Sequence, residues 1–318
     1  MRKILIATLA TCGLAMPVAA GTLTDTFTSY YAFGDSLTDD GKFGSLFAPS
    51  LGGRFSNGRT YAEYIADEFT DANLDSGNFA LGGATASDTN LNPDLPAPLN
   101  TFFGQIATFA GAVAGSLTAP GDNPLVSVLF GGNDFFQGQD MTAAADSVAN
   151  GIRAIGSIAS DTFDDFLVLS LPDISGSPGF AGNPVAKAAS DTFNAQLALN
   201  IIDLRSEGFN IITFDTDSVT QEILADFANG SPLYGVTNVT TPCTLSMAVD
   251  GPNCVADGFD PDTYLYSDAV HPNGVSQRLL GERVIATVEA VPVPAAMPLM
   301  LTAALGFGAA AWRRRRAA

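Results

Sequence analysis

His271 is the only histidine in the chain, and it follows Asp268 at a spacing of three residues. Imidazole titrates near neutral pH, so His271 is the side chain that could take a proton from a serine nucleophile. A carboxylate three residues earlier can reach the other ring nitrogen and fix the tautomer of the ring. A lone histidine is more often an ordinary polar residue, but serine-dependent hydrolysis by this chain would have to use this one.

Ser36 is a serine that could act as the nucleophile. It follows a Gly-Asp pair, which comes directly after a short apolar run. A turn at the end of a strand would expose the hydroxyl of Ser36. The alternative, an ordinary Gly-Asp-Ser turn that caps a helix, is equally compatible with this segment taken alone. A second polar turn, Gly131 to Asp134, follows a later apolar run. It contains Asn133 and would also fall at the carboxyl end of a strand.

Short apolar runs alternate with segments of helical character along the chain. The runs are Tyr30 to Phe33, Asn78 to Leu81, Leu125 to Phe130, Phe166 to Leu171 and Ile211 to Phe214. The helical segments are Tyr61 to Phe69, Gln105 to Ala114, Ala143 to Ser157, Val185 to Arg205 and Val219 to Ala228. This alternation predicts an α/β fold: a three-layer, open parallel sheet of about five strands with helices on both faces. Ligands of such sheets bind beyond the carboxyl ends of the strands, where Ser36 and Asn133 both fall.

The composition favours a folded domain that does not bind nucleic acid. Hydrophobic residues make up 47% of the chain and charged residues 15%, which leaves enough apolar surface for a large core. The net charge of −19 would repel nucleic acid and anionic lipid headgroups. Asp257, Asp260 and Asp262 lie close together in sequence, but a solvated loop is a simpler interpretation than a calcium site. No metal is expected.

Both ends of the chain resemble targeting segments. Residues 1–20 combine a basic start, an apolar run and a small-residue exit, which predicts a secretory signal peptide; a short buried helix is the alternative. Residues 291–318 contain a Val-Pro-Val-Pro motif, an apolar stretch and an arginine cluster. This order resembles the PEP-CTERM class of bacterial sorting signals, which implies a membrane sorting protease as a partner. A plain transmembrane anchor is the alternative.

The predicted catalytic domain therefore spans residues 21–290, in a bacterial protein that is secreted or held at the cell surface or outer membrane. Cys243 and Cys254 are the cysteines of this domain and lie in a loop rich in Pro, Gly and Asn. An exported chain meets oxidising conditions, so a Cys243–Cys254 disulfide is expected. A metal site is the competing interpretation, but there is no second cysteine pair to complete it.

Together, the motifs resemble the GDSL family of esterases and lipases, also called SGNH hydrolases. The resemblance covers roughly residues 30 to 290 and implies a flavodoxin-like α/β fold. It implies that Ser36, in Gly-Asp-Ser-Leu, is the nucleophile. It also implies that Asp268 and His271, in Asp-x-x-His, are the acid and the base.

The same resemblance implies an oxyanion hole with three donors. They are the backbone N–H of Ser36, the side chain of Asn133 in Gly-x-Asn-Asp, and the backbone N–H of a glycine in Asn78 to Ala84. Within that segment Gly83 fits the family motif best, and Gly82 is the alternative.

The function that the resemblance implies is hydrolysis of a small-molecule or lipid carboxylic ester through an acyl-enzyme on Ser36, with no cofactor. An O-acetyl esterase that acts on extracellular polysaccharide is one alternative. A non-catalytic surface binding protein with the same fold is another. Apolar side chains near the site could line an acyl pocket, although packing in the core is their more frequent role. These residues are Phe43, Leu46, Phe47, Phe102 and Phe103.

Overall fold

The computed structural model describes residues 21–42, 44, 51–159, 162–230, 232–244 and 254–290. One sheet is formed by the strands β1 (Ser29–Gly34), β2 (Asp75–Asn78), β3 (Pro124–Leu129), β4 (Asp165–Leu169) and β5 (Asn210–Phe214). Their order is β2-β1-β3-β4-β5, and every neighbouring pair is parallel. The prediction of an open, parallel α/β sheet is confirmed.

Helices cover both faces of the sheet. They are α1 (Leu23–Thr26), α2 (Tyr61–Asp71), α3 (Phe102–Ala114), α4 (Gly132–Phe136), α5 (Met141–Gly156), α6 (Pro184–Ser206), α7 (Asp217–Ala228) and α8 (Gly274–Glu289). Single turns of 3₁₀-helix occur at Ile174–Gly176, Pro178–Phe180 and Pro261–Thr263. One apolar cluster joins α3, α5 and α6 to one face, and a second joins α1, α2, α7 and α8 to the other.

The strand β3 shows why its sequence is an unbroken apolar run and not an alternating one. Val126 and Val128 belong to the cluster that contains α3, α5 and α6, whereas Leu125 and Leu129 belong to the cluster on the opposite face. Successive side chains of a strand point to opposite faces, so a strand covered on both sides needs apolar residues at consecutive positions. The sheet is thereby buried between two helical layers.

The second strand lies earlier in the chain than predicted. The apolar run Asn78 to Leu81 continues past the sheet, and only its first residue belongs to β2. The N–H of Leu81 instead donates to the carbonyl of Gly34 at 3.1 Å. As an edge strand, β2 has half-buried positions that polar residues can fill, which explains why hydrophobicity misplaced it.

The helix α8 was not among the predicted helices, and it fixes the position of His271. The side chain of Asn273 accepts a hydrogen bond from the N–H of Ser276 at 2.9 Å and so caps the start of α8. Gly58 and Gly274 approach so closely that a Cβ atom on either would meet the backbone of the other. The loop before α2 therefore contacts the first turn of α8, next to His271.

The two predicted targeting segments, residues 1–20 and 291–318, lie outside the described residues. No helix within the described ranges is both long enough and apolar enough to cross a membrane.

Candidate active site

Ser36 lies in the turn after β1, and its hydroxyl meets the turn that carries Asp268 and His271. The Oγ of Ser36 is 2.7 Å from the Nε2 of His271. On the other side of the ring, Nδ1 is 2.8 Å from Oδ2 and 2.9 Å from Oδ1 of Asp268. An ionised carboxylate only accepts hydrogen bonds, so Nδ1 donates to Asp268 and Nε2 accepts from the Ser36 hydroxyl. The structure thus brings together the three side chains that the sequence singled out, and all three are buried.

The surroundings of Asp268 keep it charged. Burial alone would raise its pKa, but the charge and the hydrogen bond of His271 oppose that effect, as do the backbone N–H groups of Val270 and His271. Each of those N–H groups donates to Oδ1 at 2.9 Å. The net result is a pKa of Asp268 below its usual value, so this carboxylate can stabilise a protonated His271 ring.

The loop before α2 adds residues for which the sequence had indicated no role. The ring of Phe55 packs against the ring of His271 with the centroids 5.0 Å apart. Gly82 allows this approach, because a Cβ atom there would collide with the Phe55 ring. Nearby, the Oδ1 of Asn57 accepts from the N–H of Gly274 at 2.8 Å, which ties the same loop to the start of α8. The loop therefore holds His271 from two directions.

Asn133 lines one cleft together with Ser36 and a second cleft together with Gly83. The Nδ2 of Asn133 donates a hydrogen bond to the carbonyl of Ala84 at 3.0 Å. This bond orients the amide and uses one of its two N–H groups. Gly83 has a φ of +83°, and a Cβ atom at this position would meet the side chain of Leu95. The positive φ strains any residue with a side chain, so it favours a glycine at this position.

Hydrogen bonding distinguishes Gly83 from Gly82 as a donor to a substrate. The N–H of Gly82 already donates to the Oδ2 of Asp39 at 2.7 Å. The N–H groups of Ser36 and Gly83 have no acceptor within the part of the chain that the structure describes. Gly83, unlike Gly82, therefore keeps a backbone N–H that no acceptor in the described part of the chain uses.

A cavity of about 300 Å³ opens beside Ser36 and His271. Its apolar wall includes Leu171, Ile174, Val219, Leu224, Leu265 and Leu280. A second, more open cleft of about 560 Å³ adjoins the first at Asn133, Phe136 and Val270.

Two of the residues that the sequence offered for an acyl pocket, Phe102 and Phe103, do not line this cavity. Phe102 is fully buried in the core, where its ring packs against Phe33 and Phe130. Phe103 packs against the same core cluster. Phe43, Leu46 and Phe47 lie outside the described residues. A local sequence pattern could not indicate the actual lining, because it comes from separate loops and from α7 and α8.

Residues 30–284 match the family model of the GDSL-like lipases and acylhydrolases. The chain belongs to this family. The match covers Ser36, Gly83, Asn133, Asp268 and His271. It ends before the C-terminal segment, whose resemblance to a sorting signal stays a prediction.

Three curated relatives of this GDSL chain carry names that describe acyl-ester chemistry. Phosphatidylcholine-sterol acyltransferase of Aeromonas hydrophila is 27% identical, over 72% of this chain and 69% of the relative. Esterase EstA of Pseudomonas aeruginosa is 26% identical, over 87% of this chain and 48% of the relative. Acetylesterase of Thermothelomyces thermophilus is 30% identical, over 61% of this chain and 74% of the relative. The chain thus spans only about half the length of EstA.

Asp35, in the Gly-Asp-Ser-Leu motif of this GDSL chain, is a buried carboxyl group next to Ser36 in the chain. Burial raises its pKa to about 7, and the nearby charge of Asp134 adds to the rise. Its Oδ1 accepts a hydrogen bond from the N–H of Leu37 at 3.0 Å, which partly offsets that effect. Asp35 thus braces the turn that presents Ser36.

Cys243 and Cys254 are joined in the structure, with their Cα atoms 4.9 Å apart. The N–H of Cys243 donates to the carbonyl of Tyr266 at 3.0 Å, and the N–H of Thr244 donates to the carbonyl of Ser267 at 3.0 Å. The residues that accept these hydrogen bonds lie directly before Asp268 in the chain. Among the described residues, no three His, Cys, Asp or Glu side chains converge on a metal position.

Proposed function

We propose that this chain hydrolyses carboxylic esters through an acyl-enzyme intermediate on Ser36. The observation that carries the proposal is the 2.7 Å contact between the Oγ of Ser36 and the Nε2 of His271, with Asp268 on the opposite ring nitrogen. This arrangement provides a nucleophile, a general base and a group that orients the base.

In the proposed reaction, His271 takes the proton of Ser36 while Oγ attacks the ester carbonyl carbon. The oxyanion that forms accepts hydrogen bonds from the N–H groups of Ser36 and Gly83 and from the amide of Asn133. His271 then gives its proton to the leaving alcohol as the tetrahedral intermediate collapses. A water molecule, activated by the same ring, cleaves the acyl-enzyme and releases the acid.

We propose an ester with an apolar acyl chain, either a lipid or a simple carboxylic ester, as the substrate. Support comes from the cavity beside Ser36, because its wall of leucine, isoleucine and valine side chains offers apolar contact to several methylene groups. An acetyl group would leave most of that volume unfilled. The name of the Aeromonas hydrophila relative, an acyltransferase of phosphatidylcholine, points in the same direction.

An O-acetyl esterase that acts on extracellular polysaccharide is the second candidate, and the acetylesterase relative favours it. A panel of 4-nitrophenyl esters from acetyl to palmitoyl, assayed beside an acetylated oligosaccharide, separates the two. Higher kcat/KM on butyryl and longer chains supports the proposal. Activity confined to acetyl groups would favour the second candidate, and binding of the oligosaccharide without hydrolysis of any ester would indicate a non-catalytic surface protein.

We further propose that residues 1–20 direct export and that residues 291–318 act as a membrane or sorting segment cut by a membrane sorting protease. The support is the order of basic, apolar and proline-rich segments in the sequence. A chain that ends at Ala290 should hydrolyse esters with unchanged kinetics and move from the cell surface to the medium. Equal surface retention of both forms would contradict the role of the tail, and loss of the fold would show that the domain continues past Ala290.

A further inference from the structure

The donor at Gly83 lies in a Gly-Gly pair that has little conformational preference of its own. Glycine populates many backbone conformations, so Gly82 and Gly83 do not by themselves select the one that directs the Gly83 N–H to the substrate. An oxyanion donor is effective when it is held in position before the reaction begins. Contacts outside the pair must therefore restrain it.

The buried carboxylate of Asp39 makes such a contact. Its Oδ2 accepts from the N–H of Gly82 at 2.7 Å, and its Oδ1 accepts from the N–H of Gly41 at 3.0 Å. Asp39 is 3% exposed, and its own N–H donates to the carbonyl of Asp35 at 2.9 Å. Asp39 thus connects the turn that carries Ser36 to the peptide unit directly before the Gly83 N–H.

Asp134 holds the other end of the loop that contains Gly82 and Gly83. Its Oδ2 accepts from the N–H of Ala86 at 2.9 Å, and its Oδ1 accepts from the N–H and the hydroxyl of Ser87 at 3.1 Å and 2.7 Å. Hydrogen bonds to ionised acceptors are roughly twice as strong as those between neutral groups. The loop is therefore fastened on one side to the turn of Ser36 and on the other to the turn of Asn133.

We propose that Asp39 is a positioning residue of the oxyanion hole, which acts on the Gly83 N–H through Gly82. The inference rests on the proposed ester hydrolysis and extends it to a residue outside the reacting groups. Asp39 exchanges no proton and forms no bond with the substrate. Its carboxylate sets the direction of one donor, so its loss should weaken transition-state stabilisation more than substrate binding.

The test measures kcat and KM on 4-nitrophenyl butyrate for the full chain and for Asp39→Ala, Asp39→Asn and the control Asp40→Asn. We expect Asp39→Ala to lower kcat by about 10- to 100-fold with KM within about threefold, since outright loss of one donor costs about 10²–10³. In Asp39→Asn the side chain keeps one acceptor oxygen for the N–H groups of Gly82 and Gly41, so this variant should give an intermediate kcat. Asp40 pairs with the Nζ of Lys42 at 2.6 Å, so its variant should behave like the wild type.

A second measurement reports the oxyanion hole separately from turnover. Butylboronic acid adds to a serine hydroxyl as a negatively charged tetrahedral adduct, so its inhibition constant should rise in parallel with the loss of kcat in the Asp39 variants. Asp40→Asn should bind it as the wild type does. A fall in kcat with unchanged boronate affinity would indicate general loosening of the fold and overturn the inference.

The remaining outcomes separate this inference from the proposed function. A folded Asp39→Ala variant with wild-type kcat and boronate affinity overturns the inference and leaves ester hydrolysis standing. A wild-type chain that neither hydrolyses an ester nor binds the boronate overturns the proposed function and the inference with it. If circular dichroism shows that Asp39→Ala does not fold, Asp39→Asn decides, and wild-type values in both measurements overturn the inference.

Discussion

The Nε2 of His271 lies 2.7 Å from the Oγ of Ser36, although 235 residues separate the two in sequence. The contact joins the turn after β1, which lies between β2 and β3 in the sheet, to the turn before the last described helix, α8. In the proposed reaction the two side chains act as a unit, since the Ser36 hydroxyl is a weak nucleophile without a base and the acyl group that His271 helps to release is held on Ser36.

Ser36→Ala and His271→Ala should each lower kcat by about 10⁴-fold or more. The kcat of the double variant should be no lower than that of the less active single variant, because the members of such a unit act together. Ester hydrolysis and thermal unfolding are measured for all three variants. Ser206→Ala, at the exposed end of α6, is the matched control and should retain full activity. Additive losses in the double variant would show that the two side chains act independently.

The chemistry of this pair was accessible from sequence because it depends on residue type and local spacing. A single histidine, a carboxylate three residues before it and a Gly-Asp-Ser turn after an apolar run are local patterns. The alternation of apolar runs with helical segments then brought the turns of Ser36 and Asn133 to one edge of a parallel sheet. The topology and the proposed nucleophile followed from the same evidence.

The residues that support the site could not be predicted from local sequence patterns. Phe55 meets His271, and Asp39 meets Gly82, across loops whose course no local pattern records. For Phe102 and Phe103 the sequence leaves two roles open, an acyl pocket and the more frequent packing in the core, and both residues pack in the core. The cavity is lined instead by separate loops and by parts of α7 and α8. Long-range packing decides such contacts, and a single sequence considered by itself contains little information on it.

Phe55→Ala should lower kcat by about tenfold with little change in KM. The ring contact with His271 restricts the orientation of the base, and aromatic pairs contribute about 0.5–1.5 kcal/mol beyond the area they bury. Phe55→Tyr keeps the ring and should restore most of the rate. Steady-state kinetics of both variants are compared with Phe259→Ala, whose ring is 58% exposed. An equal loss in the alanine and tyrosine variants would exclude ring contact as the cause.

Leu224→Trp should shift the preference of the enzyme toward shorter acyl chains. Leu224 belongs to α7 and to the apolar wall of the cavity, so a larger side chain there removes volume from the end formed by the helices. The kcat/KM for 4-nitrophenyl octanoate should fall by about tenfold relative to that for the acetate, as expected for lost methylene contacts. Leu199→Trp, on the exposed side of α6, is the control. An unchanged chain-length profile would place the acyl group elsewhere, with the open cleft at Phe136 as the next site to test.

Asp35→Asn should change how stability depends on pH. Burial raises the pKa of Asp35 to about 7, whereas an unfolded aspartate titrates near 4. The folded chain therefore retains an extra proton between these values, and the stability that this proton contributes is complete below about pH 4 and lost as pH rises through about 7. Relative to Asp35→Asn, the wild type should lose up to about 4 kcal/mol of unfolding free energy across this range. Urea unfolding at several pH values measures the difference, and parallel curves would contradict it.

The Cys243–Cys254 bond should be present in protein recovered from outside the cytoplasm, and its loss should affect both stability and catalysis. In the chain-entropy model, closing a loop of this size stabilises by about 3 kcal/mol. Hydrogen bonds from Cys243 and Thr244 also reach the segment directly before Asp268, so an open loop should loosen the turn that orients His271.

Intact mass after alkylation, with and without reductant, detects the bond, and two free thiols in exported protein would refute it. The double variant Cys243→Ala/Cys254→Ala should unfold at a lower urea concentration than the wild type and hydrolyse 4-nitrophenyl butyrate with a reduced kcat. Reduction of the wild type should reproduce both effects, and the same reductant should leave the double variant unchanged. Because the double variant has no cysteine in the domain, this control separates loss of the bond from other effects of the reductant. If kcat stays constant while stability falls, the bond holds the loop together without positioning His271.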